Sequence, residues 1–325
     1  MTGADHWAAI VDAVPTSAIE SATFVEAAGR GAELLPASVL RALTQLSDPT
    51  STGAVLIKGV PSGAIPRTPP TPTTRTEKDH VSEFVLLSVA RALGEPVGYA
   101  PEHGGAIVQN LVPTPEAATR QTSTSSAVEL EFHTETVFHP HRPHHLLLLC
   151  LRGDPAASTL LCSVDQVVAQ LPPDVRRVLG EPRFRTGVDE SFIGASVGPD
   201  HDAAHDESPL DRPLDRLVSV LSGDPAHPTL TFDADLMHGI DDEADAALAV
   251  FASLARAHRI GVTLEPGDLL VVDNHRSIHG RSAFTARYDG TDRWLQRSFV
   301  VDSLAPSVDE RHGRVITTRF DPGVS

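Results

Sequence analysis

Positive charge is scarce in this 325-residue sequence: 26 Lys and Arg stand against 43 Asp and Glu, a formal net charge of −17. Nucleic acids and anionic membranes both call for a basic footprint, so neither is an expected partner, and the acidity is read as serving solubility. Cysteine is almost missing. Cys150 and Cys162 sit inside apolar strand-like runs, LLLLCL and TLLCSV, where a small buried thiol is the commonest use. No disulfide framework is implied, and a reducing cytoplasm is the expected compartment. No apolar run reaches membrane-spanning length, and the N-terminal MTGADHWAAIVDAV has no basic segment followed by an apolar core. A soluble protein without a visible targeting signal is expected. Internal repeats and a linker between independent halves are absent too, so a single domain with a sizeable core suits the length.

What is present alternates between helical and strand-like patterning. Leu34, Leu35, Val39, Leu40, Leu43 and Leu46 carry helical spacing within 5–47, a helical flank to a sheet. Strands are expected at 53–60, 104–113, 158–164, 228–237 and 293–301, a compact β-unit at 262–275, and helices at 79–93, 165–180 and 240–258. The helix over 165–180 contains Pro172–Pro173 near its middle, a potential break. Residues 61–77, rich in Pro and Thr, read as a surface loop, 114–126 as a polar loop able to act as a lid, and 189–214 as a mobile acidic stretch. Many short strands with flanking helices favour a mainly β fold with a closed or sandwiched core over a doubly wound parallel sheet.

The segment 127–151, AVELEFHTETVFHPHRPHHLLLLCL, is the centre of the functional reading. Leu130, Phe132 and Thr134 alternate with Glu131, His133 and Glu135, the side-chain period of a strand, so His133 and Glu135 are expected on one face. An isolated His-x-Glu is more often a hydrogen-bonded pair on a half-exposed strand. With a further histidine it becomes a two-histidine, one-carboxylate metal triad with open positions. VVDNHRSIHGRSAF at 271–284 offers His275 or His279. Fourteen residues after His279, Arg293 opens a strand in which Arg293, Leu295, Arg297 and Phe299 share a face. Guanidinium groups capture carboxylates bidentately, so a carboxylate-bearing ligand held at the metal is the chemistry this pattern suggests.

LEFHTE, FHPHRP with the long apolar strand, VVDNHRSIHGRSAF and RYDGTDRWLQR together resemble the clavaminate synthase-like branch of the iron(II)/2-oxoglutarate-dependent oxygenases. That branch includes hydroxylases of free arginine, lysine, asparagine and enduracididine in antibiotic pathways. The resemblance spans roughly 53–302 and implies a double-stranded β-helix (jelly-roll) core. The resulting layout is a helical flank (1–52), that core (53–302) with a mobile helical and loop insertion around 165–227, and a C-terminal extension (303–325). It also implies His133, Glu135 and His279 as ligands of Fe(II), and Arg293 with Thr159 as the site for the far carboxylate of 2-oxoglutarate. Dioxygen is the other cosubstrate, and hydroxylation of an unactivated carbon, at Cβ in most of the family, the reaction.

For the substrate, the resemblance points to Gln109 and Ser123, which fall where arginine-hydroxylating relatives hold the α-amino and α-carboxylate groups. Glu135 and Arg297 are further candidates, Arg297 for the carboxylate. In TLTFDADLM, Asp233 and Asp235 would share a strand face with Thr231 and offer two carboxylates to a cationic side chain. They could equally cap the following helix. The expected substrate is a small free amino acid, arginine first and lysine second. Two other classes compete. Gly194–Gly198 matches G-x-S-x-G, the nucleophile elbow of a serine hydrolase with Ser196 at its centre, although Pro199-Asp200-His201-Asp202 is a poor helix entry. A non-catalytic jelly-roll protein that binds metal without consuming 2-oxoglutarate is the second. Nothing in the pattern speaks to oligomeric state.

Overall fold

The apolar run LLLLCL becomes the middle of a long strand, His145–Arg152, whose alternate residues enter two different cores. Leu146, Leu148 and Cys150 join one hydrophobic cluster, and Leu147, Leu149 and Leu151 the other. A strand covered on both faces has no polar side, so its sequence reads as a continuous apolar run. In the computed structural model, which describes residues 2–19, 21–46, 48, 51–193, 217–304 and 313–316, this strand lies in a seven-stranded sheet. It pairs antiparallel with Leu269–Asp273 on one side and Trp294–Val301 on the other. Ala54–Ile57 extends the sheet beyond the first neighbour, while Glu95–Tyr99 and Gln109–Leu111 both pair with Trp294–Val301.

Helices cover the outer face of this sheet. Val81–Leu93 is buried at every residue from Val81 to Ala90 because it lies between the sheet and helix Ala22–Glu33. Ser21 caps the latter, its side chain accepting from the Phe24 N–H at 3.2 Å. On the inner face lies a four-stranded antiparallel sheet in the order Ile260–Thr263, Ser158–Ser163, Ser277–Arg281, Leu130–His133. Phe132, Leu160, Cys162 and Ile278 from this smaller sheet share a cluster with Leu148, Leu270, Leu295 and Phe299 from the larger one. Each such buried side chain contributes roughly 1.5–3 kcal/mol through removal of apolar surface from water. Helix Asp242–Ala257, capped by Asp241, packs outside the smaller sheet and against Pro173–Leu179. The architecture is thus mainly β with several helices.

Several elements depart from the sequence reading. The strand expected at 104–113 is confined to Gln109–Leu111. The helix expected at 165–180 is two, Val164–Val168 and Pro173–Leu179, because proline removes a donor and disfavours the helical conformation of the residue before it. The strand expected at 228–237 stops after Thr229–Leu230, and a turn separates it from Met237–Gly239. The insertion expected to be mobile contains regular structure, since Phe184–Thr186 pairs with Met237–Gly239. Residues 194–216, including the Ser196 motif, lie outside the described residues. From the C-terminal extension, Val315–Ile316 pairs in parallel with Glu95–Tyr99. No helix among the described residues is long and apolar enough to cross a membrane.

Candidate metal centre and its cavity

His133 ends the strand Leu130–His133, and His279 lies directly opposite it on Ser277–Arg281. Their rings are 4.4 Å apart between centroids. The glycine after His279 has a steric reason: a Cβ on Gly280 would stand 2.5 Å from the Leu130 carbonyl oxygen, so only glycine lets the two strands meet here. Glu135 does not sit on the strand, contrary to the alternation read from the sequence. Pairing ends at His133, and Asn274 determines where Glu135 goes. The fully buried Asn274 accepts from the Glu135 N–H at 2.7 Å and donates through Nδ2 to the Glu135 and Pro143 carbonyls at 3.1 and 2.9 Å. Thr134 is fixed in the same way, its N–H donating to the Phe232 carbonyl at 2.8 Å.

One ligand atom from each of His133, Glu135 and His279 falls within 4.8 Å of the others. His133 Nδ1 lies 2.8 Å from the Glu131 carbonyl, an acceptor only, so Nδ1 carries the proton and Nε2 is left as the ligand atom. His279 Nε2 is 3.3 Å from Glu135 Oε1. Burial opposes ionisation of Glu135, but Arg297 and the two histidines outweigh it and hold the carboxyl well below the usual carboxylate range. Burial, with His133 beside it, pushes His279 down. A carboxylate and two neutral imidazoles are the protonation states a divalent metal needs from its ligands.

The cavity beside this triad encloses ≈ 320 Å³ and lies between the two sheets. Arg293, at the entrance to Trp294–Val301, and Thr159, on Ser158–Ser163, both reach it. Arg293 is buried and makes no hydrogen bond or ion pair with another described residue. Burial pulls it down to about 10, with Cys150 and Asp154 opposing. Thr159 Oγ1 is buried without a partner. A second buried guanidinium, Arg281, bonds only neutral oxygens among the described residues, those of Ser125, Val128 and Ser282. It is held down to about 9 by burial and then by Arg293. Two neighbouring buried cations with no acid in hydrogen-bond or ion-pair contact among the described residues, next to an unsatisfied hydroxyl, form a site suited to an anion.

Arg297, further along the same strand, is held differently. Its Nε donates to Gln109 Oε1 at 2.9 Å, its Nη2 to Gln109 Oε1 at 2.5 Å and to Glu102, and its Nη1 to Glu135 Oε1 at 3.3 Å. Acids collect elsewhere on the wall: Asp189, Asp233, Asp235 and Glu131 all line the cavity. Asp233 Oδ1 accepts from the N–H groups of Asp235 and Leu236, each at 2.8 Å. Desolvation raises Asp233 to about 6, with His133 opposing. Glu131 is engaged by Arg256 at 2.7 Å.

The structure therefore brings together His133, Glu135, His279, Thr159, Arg293, Arg297, Ser123, Asp233 and Asp235 around one cavity. Two expectations change. Asp233 and Asp235 do not share a strand face with Thr231, because Asp233 closes a turn and Asp235 stands exposed at the rim. Gln109 is not in the cavity wall; its carbonyl braces Arg297 and its Nε2 donates to the Ala106 carbonyl at 3.3 Å. His275 lies away from the triad, its ring 4.5 Å from that of His144. The polar loop at 114–126 does line the cavity, but Arg281 ties it down at Ser125, and Thr114 N–H bonds the Thr124 carbonyl at 3.0 Å. Glu102, Asp189, Asn274 and Arg281 were missed. Only a chemical signal, a charged or amide side chain, marks them, and none lies in a periodic pattern.

Residues 50–299 match the model of the taurine catabolism dioxygenase TauD, TfdA family. An L-lysine 3-hydroxylase from Catenulispora acidiphila is 37% identical over 319 residues, covering 96% of this chain and 86% of the relative. Among solved structures, asparagine oxygenase in complex with Fe(II), 2S,3S-3-hydroxyasparagine and succinate superposes with a TM-score of 0.84 at 32% identity, over 97% of this chain and 95% of that one. The non-heme iron oxygenase OrfP, in complex with Fe, succinate and (3S)-hydroxy-L-Arg, gives a TM-score of 0.80 at 27% identity, over 94% of each chain. By the extent of these matches, this chain belongs to the TauD/TfdA dioxygenase family.

Proposed function

We propose that the protein is an iron(II)- and 2-oxoglutarate-dependent hydroxylase of a free basic L-amino acid, arginine or lysine, acting at Cβ. Its two-sheet core is read as a double-stranded β-helix within a single domain. The observation that supports the reading is that one cavity is lined both by an anion site with no partner among the described residues, Arg293 with Thr159, and by a group of acids, Asp189, Asp233 and Asp235. Bound at the triad, iron with 2-oxoglutarate and dioxygen supplies the oxidising chemistry that turns C–H into C–OH and yields succinate and carbon dioxide.

The chain's own groups bind, orient and exclude. His133, Glu135 and His279 hold the metal. Arg293 and Thr159 receive the far carboxylate of 2-oxoglutarate, which would satisfy both the guanidinium and the orphaned hydroxyl. Arg297, braced by Gln109, receives the α-carboxylate of the amino acid, and Ser123 adds a hydroxyl from the loop. Asp233 and Asp235 hold the cationic end of the side chain, with Asp189 beside them. Leu146, Leu148 and Leu295 form the apolar wall. Attack at Cβ is supported by relatives whose products carry the hydroxyl at position 3. A reducing cytoplasm remains the expected compartment, and Cys150 and Cys162 are both buried and unpaired.

The test is succinate formation from 2-oxoglutarate with iron(II) and a panel of free L-amino acids, each followed for the mass gain of one oxygen. Arginine or lysine is expected to stimulate turnover. Asp233→Asn should raise KM for that substrate about tenfold or more, the scale of one charge-assisted hydrogen bond, with KM for 2-oxoglutarate little changed. Stimulation by asparagine alone would sink the basic-substrate reading and leave the oxygenase. Stimulation by no free amino acid would point to a carrier-bound substrate.

A further inference from the structure

We propose that a second cavity, separate from the metal centre, is a binding site for a small aliphatic carboxylate, with Arg142 and His275 as the groups that hold the anion. This cavity encloses ≈ 400 Å³ and shares no lining residue with the first. One loop contributes to both. Thr136, Val137 and Phe138 line the metal cavity, and Pro140, Arg142 and His144, further along the same loop, line the second.

Arg142 is an unmatched cation. Among the described residues its guanidinium makes one hydrogen bond, from Nη1 to the Leu230 carbonyl at 2.8 Å, and no acid lies in ion-pair contact with it. The rest of its donor fork is left for a ligand. Burial pulls Arg142 down to about 10, with Asp273 opposing from beyond contact distance. On the same wall, His275 Nε2 is buried without a hydrogen-bond partner. Burial first, and then the charges of Arg142 and His144, hold this ring down to about 3, so it is a neutral imidazole able to carry its proton on Nε2 and donate it. Asp302, the acid that lines this cavity, does not supply the missing acceptor: it is mostly exposed, and its Oδ1 stands 2.5 Å from His144 Nδ1. A guanidinium and an orphaned imidazole nitrogen on one cavity wall call for an anionic acceptor from outside the chain. The remaining wall sets its class. Val97, Val301 and Ile316 are buried apolar side chains lining the same space. They suit the alkyl chain of a carboxylate, and they would desolvate the outer oxygens of phosphate or sulfate without compensation.

The experiment is calorimetric titration with butyrate of the anaerobic protein loaded with iron(II) and one equivalent of 2-oxoglutarate, with acetate and inorganic phosphate as comparison probes. Butyrate should bind about tenfold more tightly than acetate, through its additional buried methylenes, and more tightly than phosphate. Arg142→Gln should weaken butyrate about tenfold or more, the scale of a lost charge-assisted hydrogen bond. Arg293→Met, which removes a cation from the other cavity, should leave butyrate affinity within about threefold. Equal affinity in the wild type and Arg142→Gln would overturn the proposal, as would a loss in Arg293→Met instead. Phosphate binding tighter than butyrate would overturn the assignment of ligand class, and no butyrate binding to the wild type would overturn the site. Should Arg142→Gln fail to fold, His275→Phe removes the second donor and narrows the cavity, and the same loss is read.

Discussion

Replacing Arg293 by methionine should make the ligand-free protein more stable while abolishing its response to 2-oxoglutarate. Arg293 is buried, and no described residue bonds or pairs with it. Burial lowers its pKa from the ordinary arginine range to about 10. At about 1.4 kcal/mol per pKa unit, that corresponds to ~3 kcal/mol lost by keeping the guanidinium charged in the fold. The sign follows from linkage: a base whose folded value is depressed stays charged at neutral pH in both states, so the folded state bears the penalty throughout the range below about pH 10. Methionine removes the charge at similar length. Imperfect packing should return about 1 kcal/mol, leaving a net gain of order 2 kcal/mol and a rise in Tm of a few degrees. In the wild type, 2-oxoglutarate at 100 times its Kd adds about 2.7 kcal/mol, and in the variant it should add nothing. Calorimetric unfolding of metal-loaded protein with and without 2-oxoglutarate measures both. A variant that melts lower without ligand and still gains from 2-oxoglutarate would refute the anion-site argument.

Three further substitutions test the metal centre. His279→Ala should lower iron-dependent turnover by more than about 100-fold, beyond the 10–100-fold typical of outer-shell changes. His275→Ala should stay within about threefold on the same scale, and the reverse pattern in a succinate assay would sink the ligand assignment. Asn274→Ala removes the three hydrogen bonds that hold Glu135 and Pro143, so metal affinity should fall about 10–100-fold. An unchanged metal titration in a folded Asn274→Ala protein would show that Glu135 is positioned by something else.

Local chemistry determined a good deal. His133-x-Glu135, His279 and the paired Arg293 and Arg297 were legible because each is a strong ligand or anion-binding type next to an apolar strand. LLLLCL announced an apolar strand, and the Pro172–Pro173 step a possible break in the helix expected at 165–180. The resemblance drawn from these motifs agrees with membership in the dioxygenase family. Where the reading went astray, a long-range contact had overridden a local period. Alternation would carry the strand through Glu135, but Asn274, 139 residues away in sequence, takes over its backbone. TLTFDADLM is the exception, interrupted locally: its strand stops at Leu230, and Asp233 accepts from two N–H groups of its own turn.

By itself the sequence determined which residues could hold a metal and an anion, because ligand type is a property of single side chains. Tertiary structure decided which of them share a cavity and in what state of bonding. Arg293 and Arg297 are four residues apart on one strand and look equivalent in sequence. Folding leaves the first without a partner among the described residues and surrounds the second with Gln109, Glu102 and Glu135. That difference arises because the desolvation of a charge, and its relief, depend on groups that only the fold brings within hydrogen-bonding distance.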